Sequence, residues 1–189
     1  MSAIDQKFAE LRAAGKKAFI SFVTAGDPSL DMTARVLQTL SDCGAAIGEV
    51  GIPYSDPIAD GPVIQASYTR ALQAGCKLQD IFATVRSVAP RLKMPLASMV
   101  SYSIILRVGA AQYIADAQAA GFSGAIVPDL LIEEAAPLRE LCRARDFSLI
   151  HLVTPTTPAE RMLRIAESSS GFLYFVSITG ITGERNEIP

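Results

Sequence analysis

The chain has 189 residues, half of them hydrophobic, which is enough for one domain with a sizeable core. Its formal charge is −2 and its basic residues are spread along the sequence, which argues against nucleic acid as a partner. No stretch approaches the ~20 apolar residues of a membrane-spanning helix. Charges interrupt the N-terminal segment, which is therefore not a secretion signal.

From the N-terminus onward the chain repeats one pattern of apolar run, loop, amphipathic helix and glycine. Residues 1–13 carry apolar side chains at helical spacing and predict an N-terminal helix. The apolar runs are short and do not alternate strictly, which is typical of strands buried on both faces. The predicted strands are 18–26, 45–53, 95–102, 123–130, 147–153 and 171–178. The predicted helices between them include 28–43, 133–144 and 158–168.

Cap and breaker residues predict where the helices begin and end. Asp27-Pro28 predicts an N-cap followed by proline, and residues 157–160 predict a capping box. Gly44 and Gly121 are placed to end helices. Cys43, Cys76 and Cys142 lie far apart among apolar residues. This spacing predicts free, buried thiols in a reducing cytoplasm.

Strands that alternate with helices predict a parallel α/β sheet with right-handed crossovers. An open doubly wound sheet and a TIM (β/α)8 barrel both fit this alternation. The loop after the first strand, TAGDPSLD, has neither a GxGxxG pattern nor a P-loop lysine, and this favours the barrel. A complete barrel needs eight strands and at least ~200 residues. We therefore expect residues 1–189 to form a single incomplete barrel domain with about six β/α units, and residues 178–189 to be the loop after strand six.

Glu49 is the strongest candidate for chemistry, since it lies among apolar neighbours two residues before the end of the second strand. Burial disfavours a charged carboxylate, and barrel active sites lie at the carboxyl ends of strands. A carboxylate paired with a backbone group or an arginine is the structural alternative. The next loop holds Asp56 and Asp60, whose type is common in turns. Two carboxylates in different environments can divide the roles of proton donor and acceptor.

Other chemistries lack the residues they need. The single histidine, His151, cannot supply a His-rich metal site and is better explained as a core residue. No lysine lies near the carboxyl end of a predicted strand, where a Schiff-base enzyme would need it. The remaining chemistry is proton transfer without a metal, a covalent nucleophile or a bound cofactor. Phe22, Tyr102 and Tyr174 are each predicted late in a strand, where they would suit a flat aromatic substrate.

Four separated segments resemble the tryptophan synthase alpha subunit family from end to end of the chain. They are FVTAGDP at 22–28, GEVGIPYSDPIADGPVIQ at 48–65, IVPDLLIEE at 126–134 and GFLYFVSITGITGERNEIP at 171–189. The family is a TIM barrel. The resemblance implies a lyase of tryptophan biosynthesis that cleaves indole-3-glycerol phosphate to indole and glyceraldehyde 3-phosphate by a retro-aldol reaction.

The resemblance also implies roles for individual residues. Glu49 matches the general acid/base of the family, and Asp60 matches the aspartate that faces the indole N–H. Tyr174 matches a tyrosine near the catalytic glutamate. The matching substrate-binding positions are Phe22, Ile64, Tyr102, Tyr174, Thr182 and Gly183, of which the last two belong to a flexible loop that closes over the substrate.

A partner follows from the same resemblance. Family members form an alpha-beta-beta-alpha complex with a beta subunit that carries pyridoxal phosphate, so no cofactor is expected in this chain. Asp56, Pro57 and Asp129 match positions at that contact. One departure is Ser103-Ile104, which follows Tyr102 where the family commonly has an Asn-Pro-like pair.

The family grips the substrate phosphate with loops after strands seven and eight. We therefore expect a C-terminally truncated chain with little turnover from residues 1–189 alone. Three alternatives stay open from the sequence: a stand-alone lyase that releases indole without a partner, a different phosphate-binding barrel, and an inactive chain that only binds the beta subunit.

Overall fold

A computed structural model describes residues 1–57 and 60–177 of the chain. The strands are β1 Ile20–Thr24, β2 Ile47–Gly51, β3 Leu96–Met99, β4 Phe122–Ile126, β5 Ser148–Ile150, β6 Leu152–Val153 and β7 Tyr174–Phe175. The helices are α1 Ala3–Ala13, α2 Leu30–Asp42, α3 Pro62–Gln73, α4 Leu78–Val88, α5 Tyr102–Val108, α6 Ala110–Ala120, α7 Ala136–Ala144 and α8 Ala159–Ser168, with a short 3-10 helix at Ala89–Arg91. Among these described helices, none has the length and apolar character to cross a membrane.

The strands are parallel and stand in chain order. One sheet runs β1-β2-β3-β4-β5, and β6 pairs with β7 in a second sheet. His151 separates β5 from β6, so the fifth predicted strand is split between the two sheets. A doubly wound sheet would reverse its strand order at a switch point, whereas neighbours in chain order are typical of a barrel. The order therefore confirms the partial TIM barrel and excludes the open sheet.

Side chains of alternate strand residues pack into two layers. Val50, Leu96 and Leu149 belong to a large cluster between the sheet and the helices. The opposite face of the sheet carries a smaller cluster, which lines the inside of the arc: Ile4, Ile47, Ala97, Ile126 and Ile150. Because side chains alternate across a strand, Glu49 shares the inner face with Ile47.

Helix α1 closes the amino-terminal end of the arc. Ile4 is fully buried in the inner cluster, and the hydroxyl oxygens of Ser2 and Ser148 are 2.7 Å apart. The carboxylate of Asp5 accepts a hydrogen bond from the backbone N–H of Gly171 at 3.0 Å. Since Ser148 begins β5 and Gly171 precedes β7, these contacts lie at the amino ends of the strands. The carboxyl ends stay available for a site.

Two predicted helix starts are wrong for physical reasons. The N-cap of α2 is Ser29, whose hydroxyl accepts from the backbone N–H of Met32 at 3.1 Å. The carboxylate of Asp27 is held instead by the guanidinium of Arg70, at 2.9 and 2.6 Å. Helix α8 has no side-chain cap, because the Thr157 hydroxyl accepts from the backbone N–H of Thr154.

Further local predictions differ from the structure in detail. Tyr102 does not end a strand but begins α5, three residues beyond Met99, the last pairing residue of β3. Gly121 ends α6 with a φ of 107°, as predicted. All three cysteines are free, but only Cys142 is buried, and Cys43 is exposed on the C-cap of α2. His151 is a buried residue, in agreement with its interpretation as core.

Candidate active site

Glu49 occupies the centre of β2 and faces the inside of the arc. Its Cα pairs with Phe22 on β1 and with Ala97 on β3. The residue is 5% exposed, and no described residue donates a hydrogen bond to its carboxylate, so the predicted alternative of a paired glutamate does not apply among these residues. Burial raises the pKa of Glu49 to about 7. A carboxyl group that titrates near neutrality can both donate and accept a proton at the pH of a cell.

Two aromatic side chains lie close to this carboxyl group. Phe22 is directly opposite Glu49 in the register of β1 and β2. Tyr174 begins β7, and its pKa is raised by burial and, to a smaller extent, by the charge of Glu49. The structure thus brings Phe22 and Tyr174 to the same carboxylate, where they can bound an apolar substrate.

Gly51, the last residue of β2, is closely packed between the side chains of Phe22 and Tyr68. A Cβ atom at this position would lie 2.5 Å from the Phe22 ring and 2.8 Å from the Tyr68 hydroxyl oxygen. The pKa of Tyr68 is raised by burial and then by the charge of Asp60. The ring beside Glu49 and the tyrosine beside Asp60 therefore meet at Gly51, which links the surroundings of the two carboxylates.

Asp60 lies just before α3 and is half-buried. Burial raises the pKa of its carboxyl group. Its charge, together with burial, raises the pKa of Tyr54, which reaches about 12. A cavity of about 30 Å³ is lined by Asp60, Tyr54, Tyr68, Met99, Val100, Ser101 and Pro128. This environment differs from that of a solvated turn aspartate, so Glu49 at the centre of β2 and Asp60 before α3 have different surroundings.

Two of the three predicted partner residues, Asp56 and Asp129, line a larger cavity on the outside of this site. Asp56 is exposed and Pro57 is half-buried. Asp129 accepts hydrogen bonds from the Ser101 hydroxyl at 2.7 Å and from the Tyr102 backbone N–H at 2.8 Å. The cavity measures about 720 Å³ and is lined in part by Tyr54, Asp56, Ser103, Ile104, Arg107 and Asp129. Asp56 and Asp129 thus share one concave surface.

The remaining predicted residues are placed less directly. Ile64 is half-buried on α3, where its carbonyl accepts from the Ser67 hydroxyl at 2.7 Å. Thr182 and Gly183 lie outside the described residues. Within the described ranges, no group of three or more His, Cys, Asp or Glu residues could hold a metal ion. A cavity of about 440 Å³ lies at the other end of the arc, beside α1 and α7, and contains none of the predicted site residues.

Comparison with known proteins decides what this site belongs to. The sequence profile described as tryptophan synthase alpha chain matches residues 8–189. The chain belongs to the tryptophan synthase alpha chain family. A relative from Rhodopirellula baltica is 55% identical over an alignment of 192 positions, which covers 100% of this chain and 69% of the relative. The Arabidopsis thaliana tryptophan synthase alpha chain is 44% identical, with 98% of this chain and 67% of its own length covered.

Solved structures agree with this assignment. A Mycobacterium tuberculosis tryptophan synthase structure superposes with a TM-score of 0.91 at 32% identity, covering 98% of this chain and 72% of that one. The alpha subunit from Legionella pneumophila gives a TM-score of 0.89 at 36% identity, covering 94% and 68%. The family assignment confirms the function predicted from sequence, the cleavage of indole-3-glycerol phosphate in tryptophan biosynthesis.

Sequence reasoning missed three residues that shape the site. Tyr54, Tyr68 and Gln65 surround Asp60, yet none was singled out. Tyr68 follows Ile64 by four residues, so helical spacing alone would have placed both on one face of α3. No sequence pattern distinguishes Gln65 from an ordinary surface glutamine.

Proposed function

We propose that this chain performs the carbon–carbon cleavage with its own side chains, Glu49 acting as general acid/base and Asp60 as the electrostatic partner. The observation that carries the proposal is the buried Glu49 carboxyl group at the centre of β2, which has no hydrogen-bond partner within residues 1–57 and 60–177 and a pKa of about 7. The family assignment supplies the substrate, and the aromatic side chains of Phe22 and Tyr174 suit its indole ring.

The proton balance of the reaction fits one carboxyl group. Protonated Glu49 donates to C3 of the indole, which turns the indole into a cationic leaving group. The ionised carboxylate then accepts the proton of the adjacent glycerol hydroxyl as the carbon–carbon bond breaks, which yields the aldehyde and neutral indole. One proton enters at C3 and one leaves from oxygen, so Glu49 returns to its starting state.

Asp60 would act on the charge that builds up between these two steps. The protonated indole carries positive charge at its N–H group. An aspartate carboxylate facing that N–H stabilises the cation more than the neutral substrate, and such differential stabilisation lowers the barrier. We propose that the chain needs no cofactor for this chemistry and that pyridoxal phosphate belongs to the partner beta subunit.

A turnover assay tests the proposal. Residues 1–189 are joined to the part of the Rhodopirellula baltica relative that follows the matched segment, which we call the completed chimera. We expect the completed chimera to release indole from indole-3-glycerol phosphate. A folded chimera without indole release contradicts the proposal.

The same assay on residues 1–189 alone tests the role of the family's phosphate-binding site. The family's phosphate site uses loops after the seventh and eighth strands of the complete barrel, where backbone N–H groups bind the anion. In that count β5 and β6 together are the fifth strand and β7 is the sixth. Without those contacts we expect indole release to fall by about a hundredfold or more, since binding energy at remote groups supports catalysis. Equal turnover of residues 1–189 and of the completed chimera would show that this phosphate-binding site is dispensable.

We further propose that a beta subunit docks over the concave surface lined by Asp56 and Asp129. Two exposed leucines, Leu106 on α5 and Leu131 after β4, lie close in sequence to the lining residues Arg107 and Asp129. A tryptophan synthase complex from Pyrococcus furiosus contains a chain that superposes with a TM-score of 0.81 at 38% identity, covering 84% of this chain and 65% of that one.

Charge reversal at Asp56 tests this docking surface. We expect Asp56→Lys to weaken binding of a beta subunit by about tenfold or more, because a like or unpaired charge at an interface is costly. Calorimetry or a pull-down measures the change. Asp31→Lys on α2 is the matched control, since Asp31 is also exposed but does not line the cavity. Equal binding of both variants would place the interface elsewhere. Full turnover of the completed chimera with no beta binding would favour the stand-alone lyase.

A further inference from the structure

Asp60 has no regular secondary structure to hold it. Strand β2 ends at Gly51 and helix α3 begins at Pro62, so Asp60 lies between the two elements. Its own backbone N–H donates to the carbonyl oxygen of Pro57 at 3.1 Å. This one bond joins Asp60 to Pro57 but does not fix either residue relative to the barrel, so further contacts must set where the carboxylate lies.

Gln65 provides those contacts from α3. Its side-chain Nε2 donates to the carbonyl oxygen of Asp60 at 2.8 Å and to the carbonyl oxygen of Pro57 at 3.2 Å. A terminal amide carries two N–H groups, which is one for each carbonyl. The side chain therefore ties the backbone of both Pro57 and Asp60 to one helix.

Helix α3 is itself anchored to the barrel. The hydroxyl oxygens of Ser67 and Thr24 lie 2.8 Å apart, and both residues are buried, which fixes α3 to the end of β1. Tyr68 is 2% exposed and packs its hydroxyl against Gly51 on β2. Because Gln65 is part of this anchored helix, its hydrogen bonds fix the position of Asp60 relative to β1 and β2.

We propose that Gln65 is a positioning residue of the reaction, which holds Asp60 where its carboxylate can face the indole N–H. The inference rests on the proposed function, because it assigns Asp60 its partner. Gln65 donates to the backbone carbonyl oxygens of Pro57 and Asp60, so it holds the backbone without occupying the Asp60 carboxylate that would face the substrate. A displacement of a catalytic group by about 1 Å can cost a hundredfold in rate.

Gln65→Glu is the variant that separates positioning from folding. The new side chain has the same length, but an ionised carboxylate only accepts hydrogen bonds and repels the two carbonyl oxygens. When protonated it regains one donor. The carbonyl dipoles disfavour its charged form, so its pKa should lie above the ordinary value for glutamate. Gln73→Glu is the matched control, because Gln73 ends the same helix, is exposed and makes no side-chain hydrogen bond with a described residue.

The first readout is amide hydrogen exchange of Asp60, measured by NMR on residues 1–189 and corrected for the intrinsic rate at each pH. At about pH 8 we expect exchange in Gln65→Glu to be roughly tenfold faster than in the wild type, because two hydrogen bonds are lost. At about pH 5 the protonated side chain should restore much of the protection. Wild-type protection in Gln65→Glu at the higher pH overturns the proposal, and so does a loss that is the same at both pH values.

The second readout is turnover of the completed chimera. For Gln65→Glu we expect kcat to fall by about ten- to a hundredfold at about pH 8, with a smaller change in KM, because the charge on the indole develops after binding. The ratio of variant to wild-type kcat should rise as the pH falls, whereas Gln73→Glu should match the wild type throughout. An active wild type with a fully active Gln65→Glu variant overturns the positioning role. An inactive wild type refutes the proposed function instead, and the exchange rates then still decide whether Gln65 holds Asp60.

Discussion

Glu49→Gln is expected to lower the kcat of the completed chimera by about a hundred- to ten-thousandfold, which is the usual contribution of a general acid/base. The amide has the same shape but can neither protonate C3 nor accept the hydroxyl proton. Since Glu49 is buried at the centre of β2, the substitution removes the titrating group at that position. Indole release under saturating substrate measures the effect, and Asp56→Asn serves as a control on an exposed carboxylate of the same segment.

The same substitution should stabilise the protein at alkaline pH. The pKa of Glu49 is raised in the folded state to about 7 from its ordinary value of 4.5, so folding favours the protonated form. The wild type therefore has its full stability below the unfolded pKa and loses it as the pH rises through about 7. At about pH 8.5, Glu49→Gln should raise the free energy of unfolding by roughly 1–3 kcal/mol relative to the wild type, with little difference at about pH 4. Urea unfolding at the two pH values measures this, and a loss of stability at the higher pH would contradict the burial of an unpaired charge.

Asp60→Asn carries the second large expected effect. Removing the negative charge while keeping the shape should lower kcat by about a hundred- to a thousandfold, the range seen when one electrostatic contact to the transition state is lost. Because the amide oxygen still accepts a hydrogen bond from a neutral N–H, KM should change much less than kcat. Steady-state kinetics on the completed chimera separate the two parameters.

A change of KM alone would contradict this role of Asp60, since it would mean that the aspartate binds substrate and transition state equally. The variant should fold normally, because Gln65 and Pro57 hold the backbone of residue 60 and not its carboxylate. Burial raises the pKa of Asp60, so losing the charge should not destabilise the fold.

The fold was predictable because its main determinant is periodicity. Short apolar runs between amphipathic segments predicted parallel strands, and the missing nucleotide loop favoured a barrel, which the strand order confirms. Details set by distant partners were not predictable. Asp27 failed as a helix cap because Arg70, 43 residues away, takes its carboxylate. The split of the fifth strand at His151 and the closure of the arc by α1 likewise depend on tertiary contacts.

Among the site residues, too, the sequence alone could identify some and not others. Glu49 could be found from sequence because a single carboxylate inside an apolar strand costs free energy on burial. Such a residue is therefore either paired or functional. Asp60 could not be separated from Asp56 by composition, since both are turn residues. Their difference is environmental: Asp60 is half-buried against Tyr54 and Tyr68, whereas Asp56 is exposed. Only the resemblance assigned them different roles before the structure placed them.

The central claim is that Glu49 exchanges protons near neutral pH inside the barrel. Carbon-13 NMR of the glutamate side-chain carboxyl groups tests it directly in residues 1–189, with Glu49→Gln identifying the resonance. The structure predicts a titration midpoint at about 7 for this single resonance. A midpoint near the ordinary glutamate value of 4.5 would mean that the carboxyl group is solvated or paired, and would contradict its assignment as the general acid/base.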